Sequence, residues 1–111
     1  MKNEPTQRDL QNLPSIATTL GTRSLDRTIY LHFHRGNEHW YAAAYEPDEG
    51  MFFGCIINDK DIRLKRGRWE YFTFEDLRNS QEGEIGTETS WKPRTASQIE
   101  EIAREYSPSA A

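Results

Sequence analysis

One cysteine and no long apolar run set the first limits on this sequence. Cys55 stands alone, so an intramolecular disulfide is excluded and a reducing compartment is expected. The longest uncharged apolar run, Trp40 to Tyr45, is far too short to cross a bilayer, and the residues behind Lys2 lack the apolar stretch of a signal peptide. The sequence therefore predicts a cytoplasmic protein with no membrane partner.

The common catalytic and nucleotide-binding motifs are missing as well. The sequence contains no Walker motif, no GxGxxG, no CxxC pair and no Ser/His/Asp order. Paired acids occur at Glu46, Asp48 and Glu49, but these residues belong to a turn, where a solvated surface explains them better than acid–base chemistry. We predict that the protein is not an enzyme and has no cofactor.

Basic residues are fewer than acidic ones, 14 against 18, which gives the chain a net charge of -4. These charges are spread unevenly along the sequence. Residues 36–58 hold four acids and no base, and residues 71–111 hold eight acids and four bases. Residues 1–35 and residues 59–70 each hold five bases against three acids, and only the short 60–68 segment concentrates its bases. This pattern gives no footprint for double-stranded DNA, which requires a concentrated positive face.

Aromatic residues are plentiful: the 111 residues include three Trp, five Tyr and five Phe. Aromatic side chains bury a large area each, so they can build the core of one small domain although only 35% of the residues are hydrophobic. We predict a single domain over residues 1–111, monomeric or homodimeric, with residues 1–12 and 107–111 loosely ordered.

Alternating apolar residues predict antiparallel strands in the first half of the chain. A strand over residues 28–34 followed by a turn at Arg35–Glu38 would pair His34 with His39 and His32 with Tyr41. The predicted core face of these two strands holds Ile29, Leu31, Phe33, Trp40, Ala42 and Ala44. The predicted opposite face holds Tyr30, His32, His34, His39, Tyr41, Ala43 and Tyr45.

The Pro47–Gly50 turn signal leads into a third strand, residues 51–57, that is apolar on both faces. Phe53, Cys55 and Ile57 should face the core, which leaves Phe52, Gly54 and Ile56 on the other side. A helix is the expected cover for this second face. The candidate is a C-terminal helix, Ala96 to Tyr106, capped by Thr95, with an apolar stripe of Ile99, Ile102, Ala103 and Tyr106.

Polar residues mark the ends of the remaining elements. Thr6 and Asp9 resemble a capping box, and Thr73 caps a short helix that follows a strand over residues 69–73. Weak alternation over residues 84–89 predicts a fifth strand. The predicted fold class is α+β: a small antiparallel sheet of four to five strands, arranged as a meander, packed by a C-terminal helix and short helices.

The three histidines and the cysteine allow two interpretations each. His32, His34 and His39 would meet on one face in a workable metal geometry, or they form a half-exposed polar face. No cysteine or second ligand block supports a metal, so we predict none. Cys55 lies within an apolar segment, so we predict a buried, unreactive thiol.

Five short blocks occur in order along the chain: Leu13-Pro14, Trp40-Tyr41-Ala42, Tyr45-Glu46-Pro47-Asp48, Phe52-Phe53-Gly54 and Tyr71-Phe72-Thr73-Phe74-Glu75-Asp76-Leu77. Their order resembles the WYxxEYDPE…FFG…ELGYFSLDEL…W pattern of an uncharacterised bacterial family, a domain of unknown function carried mostly by plasmids, phages and integrative elements. This sequence departs from the family pattern at Glu70, at Thr73 and in the basic segment 60–68. The family has no established activity, so the resemblance implies a mobile-element context and no particular chemistry.

Two classes of function remain. The first is a non-enzymatic protein-binding accessory of a mobile genetic element, with a host or element-encoded protein as partner; an inhibitor of a host defence system, of anti-restriction or anti-CRISPR type, is one form of it. Its predicted partner-binding residues are Tyr41, Tyr45, Glu46, Asp48 and Glu49. The alternative is a single-stranded nucleic-acid-binding module that uses Lys60, Arg63, Lys65, Arg66, Arg68 and Trp69.

Overall fold

The computed structural model describes residues 1–58, 60 and 67–104. The strands in these residues are β1 (Thr28–Ile29), β2 (Leu31–Arg35), β3 (Glu38–Glu46), β4 (Met51–Asn58), β5 (Arg68–Thr73), β6 (Gly86–Thr87) and β7 (Arg94–Thr95). The helices are α1 (Gln7–Gln11), α2 (Ile16–Thr19), α3 (Phe74–Arg78) and α4 (Glu100–Ala103), with 3-10 turns at Ser24–Asp26 and Ala96–Gln98. None of the described helices has the length and apolar character needed to span a membrane.

Strands β2 to β6 form one antiparallel sheet in the order β5-β4-β3-β2-β6, while β1 pairs separately with β7. The predicted α+β meander is confirmed, with β6 added at the far edge. The first hairpin also has the predicted register, since His34 pairs with His39 and His32 with Tyr41. Gly36 and Gly50, in the two hairpin turns, have φ values of 57° and 58°, which glycine adopts without strain.

A bulge in β3 changes which residues share a face. Ala42 pairs with Gly54 and Ala44 pairs with Phe53, so Ala43 is an extra residue in the strand. Because side chains alternate with a period of two, one inserted residue moves everything after it to the other face. Tyr45 therefore packs against Phe52, with ring centroids 4.6 Å apart, and the prediction that placed it with the histidines is wrong.

The predicted strand over residues 28–34 is interrupted at Tyr30. Leu31 and Phe33 lie in one core, but Ile29 lies in the other, so the prediction that the three share a face is wrong. The physical reason is that residues 28–29 leave the main sheet to pair with β7, where Ile29 is opposite Arg94. The Tyr30 backbone N–H still donates to the Ala42 carbonyl, 2.9 Å away, which anchors the chain at the break.

The sheet separates two cores. The first is formed by Leu13, Leu31, Phe33, Ala42, Phe52, Phe72, Phe74, Leu77 and Ile85. The second is formed by Ile29, Tyr41, Ala43, Cys55, Ile57, Ala96, Ile99 and Ile102. The C-terminal segment covers one face of the sheet, but this is the face of Cys55 and Ile57 and not the predicted face of Phe52, Gly54 and Ile56, which packs in the first core with Leu31 and Phe33. Cys55 lies beneath the segment with 2% of its surface exposed.

The C-terminal cover is not the continuous helix that the stripe predicts. Thr95 caps the 3-10 turn together with Gln98, whose side chain accepts from the Thr95 backbone N–H at 3.1 Å. Ile99 then takes an extended conformation, with φ -99° and ψ 111°, before α4 begins. Two short turns instead of one helix bring both Ala96 and Ile102 onto the sheet. Tyr106 lies outside the described residues.

Backbone hydrogen bonds join the N-terminal residues to the sheet. The Lys2 backbone N–H donates to the Ile85 carbonyl and its carbonyl accepts from the Thr87 N–H, each at 3.0 Å. The Thr6–Asp9 capping box of α1 is formed as predicted. The predicted fifth strand shortens to β6, and residues 107–111 lie outside the described part of the chain.

Candidate functional site

A groove of about 700 Å³ lies between α1, the Pro47–Gly50 turn and the start of α3. Leu10, Tyr45 and Phe74 contribute apolar and aromatic surface to it. Its remaining lining includes four acidic residues, which are Glu4, Glu49, Glu75 and Asp76. We call this feature the acidic groove.

Backbone and capping hydrogen bonds hold the walls of the acidic groove in place. The Phe74 N–H donates to the Gly50 carbonyl at 2.8 Å, which joins the turn to α3. The Thr73 hydroxyl accepts from the Asp76 N–H at 3.0 Å, so Glu75 and Asp76 occupy the first turn of α3, where the helix dipole favours acids. The positions of these carboxylates are therefore set by the fold.

The charge of the acidic groove is largely uncompensated. Arg78 is its one basic lining residue, and its guanidinium is already paired with Glu4, with Nε donating to Oε1 at 2.7 Å. Within the described part of the chain, no hydrogen bond or ion pair engages the carboxylates of Glu49 and Asp76. Two free carboxylates beside an aromatic ring have the chemistry to bind a cation carried on an apolar chain.

The structure does not bring the five predicted partner-binding residues together at one site. Tyr45 and Glu49 line the acidic groove, and Asp48 is exposed in the same turn. Glu46 has a structural contact, because its Oε1 accepts from the Ile16 N–H at 2.6 Å and so holds α2 against β3. Tyr41 lies on the other face of the sheet, only 3% exposed, where no partner can reach it.

Sequence reasoning missed the other walls of the acidic groove. The capping signals at Thr6 and Thr73 correctly located α1, which supplies Leu10, and α3, which supplies Glu75 and Asp76, while Glu4 precedes the cap of α1. No signal in the sequence shows that these helices flank the same turn, because the contacts that bring them together, such as the ion pair of Glu4 and Arg78, join residues far apart in the chain.

Only three of the six predicted nucleic-acid-binding residues lie in the described part of the chain. Arg63, Lys65 and Arg66 lie outside the described residues. Lys60 is exposed, and Arg68 is paired with Glu70 at 3.1 Å. The Trp69 ring stacks on Phe53, with centroids 6.1 Å apart, and the Arg27 guanidinium lies 5.2 Å from its centroid. Trp69 thus belongs to a packed aromatic cluster.

A second polar cluster lies on the opposite face of the sheet. His32, 7% exposed, contacts Glu88 through Nδ1 at 2.8 Å and His39 Nδ1 through Nε2 at 2.9 Å. His39 Nε2 lies 3.8 Å from Glu101 Oε2, which accepts from the Tyr41 hydroxyl at 3.1 Å. We call these five side chains the histidine line. His34, the third predicted histidine, is exposed and lies outside it.

Burial controls the ionisation of the histidine line. Burial lowers the pKa of His32, and it outweighs the hydrogen bond to Glu88, which acts in the opposite direction. Burial also raises the pKa of Tyr41, assisted by the nearby Glu101 carboxylate, so the phenol stays protonated and donates. Across the described residues, no group of three or more His, Cys, Asp or Glu side chains is arranged to hold a metal ion.

In comparisons with known proteins, no family model, curated protein or solved structure matches the chain. The acidic groove and the histidine line are therefore two of the features from which function can be inferred. The first is open and charged, whereas the second is largely enclosed.

Proposed function

We propose that this protein is a non-enzymatic protein-binding accessory of a mobile genetic element, and that its partner binds in the acidic groove. The observation that carries the proposal is the pair of free carboxylates, Glu49 and Asp76, in a groove that is also lined by the half-buried ring of Tyr45. A groove with an aromatic surface and a few charged groups at fixed positions is the usual form of a peptide-binding site.

The occupant that this groove fits is a basic segment of another protein, with Lys or Arg next to an apolar residue. The chain itself contains one such contact. The Arg78 guanidinium lies 4.4 Å from the Phe74 ring centroid while it pairs with Glu4. Tyr45 and Glu49 line the same groove, so a partner arginine there has both an aromatic ring and a carboxylate available, and charge complementarity would also speed the encounter.

An inhibitor of a host defence system is the form of this function that we favour. The resemblance of the sequence blocks to a mobile-element family supports that context. Nuclease effectors of defence systems hold nucleic acid in positively charged channels, so their binding surfaces are basic. The acidic groove of this small protein has the negative charge needed to bind a basic segment of such a surface.

Fluorescence anisotropy with two labelled probes tests the proposal. One probe is a short peptide of alternating Lys, Arg and Leu, and the other is single-stranded oligothymidine. We expect the peptide to bind, and we expect the double variant Glu49→Gln, Asp76→Asn to weaken it about tenfold or more, equal to about 1.4 kcal/mol. The matched control is Glu100→Gln, an exposed acid in the first turn of α4 that lies away from the groove.

The outcomes separate the two classes of function. Equal peptide affinity in the double variant and in Glu100→Gln would refute binding in the groove. Binding of oligothymidine alone, with a steep loss at higher salt, would instead favour the single-stranded nucleic-acid alternative. No contact in the described residues supports that alternative at present, because Arg68 and Trp69 are engaged within the fold.

A further inference from the structure

A second cavity lies between residues of the N-terminal segment and the chain that follows β6. Its volume is about 420 Å³, a size typical of ligand-binding pockets. It adjoins the acidic groove, since Glu4 and Pro5 line both cavities. We call it the N-terminal cleft.

The charge of the N-terminal cleft is negative. Glu4, Asp9 and Glu88 line it, and no lysine or arginine is among its described lining residues. Tyr30 and Leu31 add apolar surface to the same lining. Acidic groups together with apolar surface favour a cation that is carried on an apolar stem.

Thr87 adds an unpaired hydroxyl to the cleft. It is one of the lining residues, although only 8% of its surface is exposed. Its Oγ1 is buried and has no hydrogen-bond partner in the part of the chain that the structure describes. A buried polar atom without a partner costs free energy, which a donor bound in the cleft would recover. The hydroxyl is therefore an acceptor that is independent of the acids.

Two of the acids in the cleft each offer one oxygen. Asp9 Oδ2 accepts from the Thr6 N–H at 2.9 Å, and Glu4 Oε1 accepts from Arg78 Nε at 2.7 Å. The second oxygens, Asp9 Oδ1 and Glu4 Oε2, accept no hydrogen bond from any described residue. The engaged oxygen holds each carboxylate in place, so the other oxygen is available at a fixed position.

The third acid, Glu88, contributes charge but no open oxygen. Its Oε1 lies 2.8 Å from His32 Nδ1, and its Oε2 accepts from the Ser90 hydroxyl at 3.4 Å. Among the described lining residues, no carboxylate therefore has both oxygens open. A guanidinium needs such a pair for its parallel N–H bonds, whereas an ammonium directs three separate donors at single acceptors. The two open carboxylate oxygens and the threonine hydroxyl supply three such acceptors.

We propose that the N-terminal cleft binds a primary ammonium group at the end of an aliphatic stem, carried either by a lysine side chain or by a free diamine. The ammonium donates to Asp9, Glu4 and the Thr87 hydroxyl. The stem packs on Tyr30 and Leu31. Such binding does not require a partner in the acidic groove.

NMR titration of the full chain with cadaverine, Nα-acetyl-lysine methylamide and Nα-acetyl-arginine methylamide tests this site. The reporter is the Trp91 indole N–H, because Trp91 lines the cleft and is held by a hydrogen bond to the Ile29 carbonyl at 3.0 Å. We expect both amines to shift this signal with a dissociation constant of about 1 mM or below, and the arginine probe to bind at least about fivefold more weakly. The indole signals of Trp40 and Trp69, which do not line the cleft, should stay in place.

The two amine probes distinguish the sources of the ligand. Tighter binding of the lysine derivative indicates a protein side chain, and tighter binding of cadaverine indicates a free diamine. A Trp91 signal that neither amine shifts, or an arginine probe that binds as tightly as the lysine probe, would overturn the proposal.

Two substitutions remove acceptors from the cleft and keep the fold. Asp9→Asn retains an oxygen for the Thr6 N–H and replaces the open oxygen by an amide NH2 group. Thr87→Val removes the hydroxyl at nearly constant shape, so urea unfolding should show unchanged or raised stability, because the lost group has no partner in the described residues. Each variant should weaken binding of the lysine probe about tenfold or more, since hydrogen bonds to charged groups are strong.

The matched control is the double variant Glu49→Gln, Asp76→Asn, which removes acids that line the acidic groove but not the N-terminal cleft. It should leave the Trp91 titration unchanged, whether or not the groove binds its peptide, so the two proposals fail separately. Native affinity for the lysine probe in Asp9→Asn or in Thr87→Val, or loss of the Trp91 shift in the groove variant, would refute the ammonium site.

Discussion

Replacing Gly54 with alanine tests a close approach between the backbones of β3 and β4. A Cβ atom at Gly54 would lie 1.9 Å from the Tyr41 carbonyl oxygen and 2.8 Å from its carbon. Carbon and oxygen atoms in β-sheets approach to about 3.3 Å, so β3 and β4 would have to separate by roughly 1.4 Å at this point. The obstacle is backbone held in the ladder beside the bulge, and it cannot rotate away as a side chain could.

The loss of stability in Gly54→Ala follows from the hydrogen bonds and packing between β3 and β4 that such a separation would disrupt. Each ladder hydrogen bond lost contributes about 1 kcal/mol, and overpacking of a close-packed region costs about 1–3 kcal/mol. We therefore expect Gly54→Ala to lower the free energy of unfolding by about 3–5 kcal/mol. That is a large share of the roughly 5–15 kcal/mol available to a domain of this size.

Urea unfolding followed by tryptophan fluorescence and by far-ultraviolet circular dichroism measures this effect. The matched control is Gly21→Ala, since a Cβ there has no atom within 4 Å. The control should leave stability unchanged or raise it by up to about 1 kcal/mol, because alanine restricts the unfolded chain. If the two variants differed by less than about 0.5 kcal/mol, the argument from close approach would be wrong.

Three further predictions concern the second core and the histidines. Ile102→Ala removes a side chain that is 1% exposed, so urea unfolding should show a loss of about 2–5 kcal/mol, whereas Glu100→Ala should change stability by less than about 0.5 kcal/mol. Cys55 should react with a thiol reagent only when the protein unfolds, and rapid labelling in native buffer would contradict its burial. A chelator should leave the melting temperature unchanged, because both His32 nitrogens are hydrogen-bonded; zinc copurified near one equivalent would refute this.

The hairpin register and the helix starts were predictable because short-range chemistry decides them. The turn at Gly36 admits few pairings, so His34 opposite His39 followed from loop length. The caps at Thr6 and Thr73 satisfy backbone N–H groups three residues away, which makes them visible in the sequence. Burial of Cys55 followed from its apolar neighbours, since a strand with two apolar faces must be covered on both.

The candidate site was only half predictable. Tyr45 and Glu49 were identified from a turn signal, but Glu75 and Asp76 reach the same groove through a backbone hydrogen bond between Phe74 and Gly50. That contact joins residues far apart in the chain, and no local pattern encodes it. The histidine line also depends on contacts between residues far apart in the chain, because Glu88 and Glu101 meet the histidines only when the C-terminal segment folds over the sheet.

The sequence by itself determined the fold class, the meander and the need for two covered faces, because apolar alternation and turn residues act over a few residues. Only the tertiary structure decided where that alternation breaks. The extra Ala43 moves Tyr45 to the opposite face, and the pairing of Ile29 with Arg94 takes Ile29 out of the face of Leu31. Bulges and strand exchanges are chosen by packing between distant segments, and the free energy of that packing is not a property of any single stretch of chain.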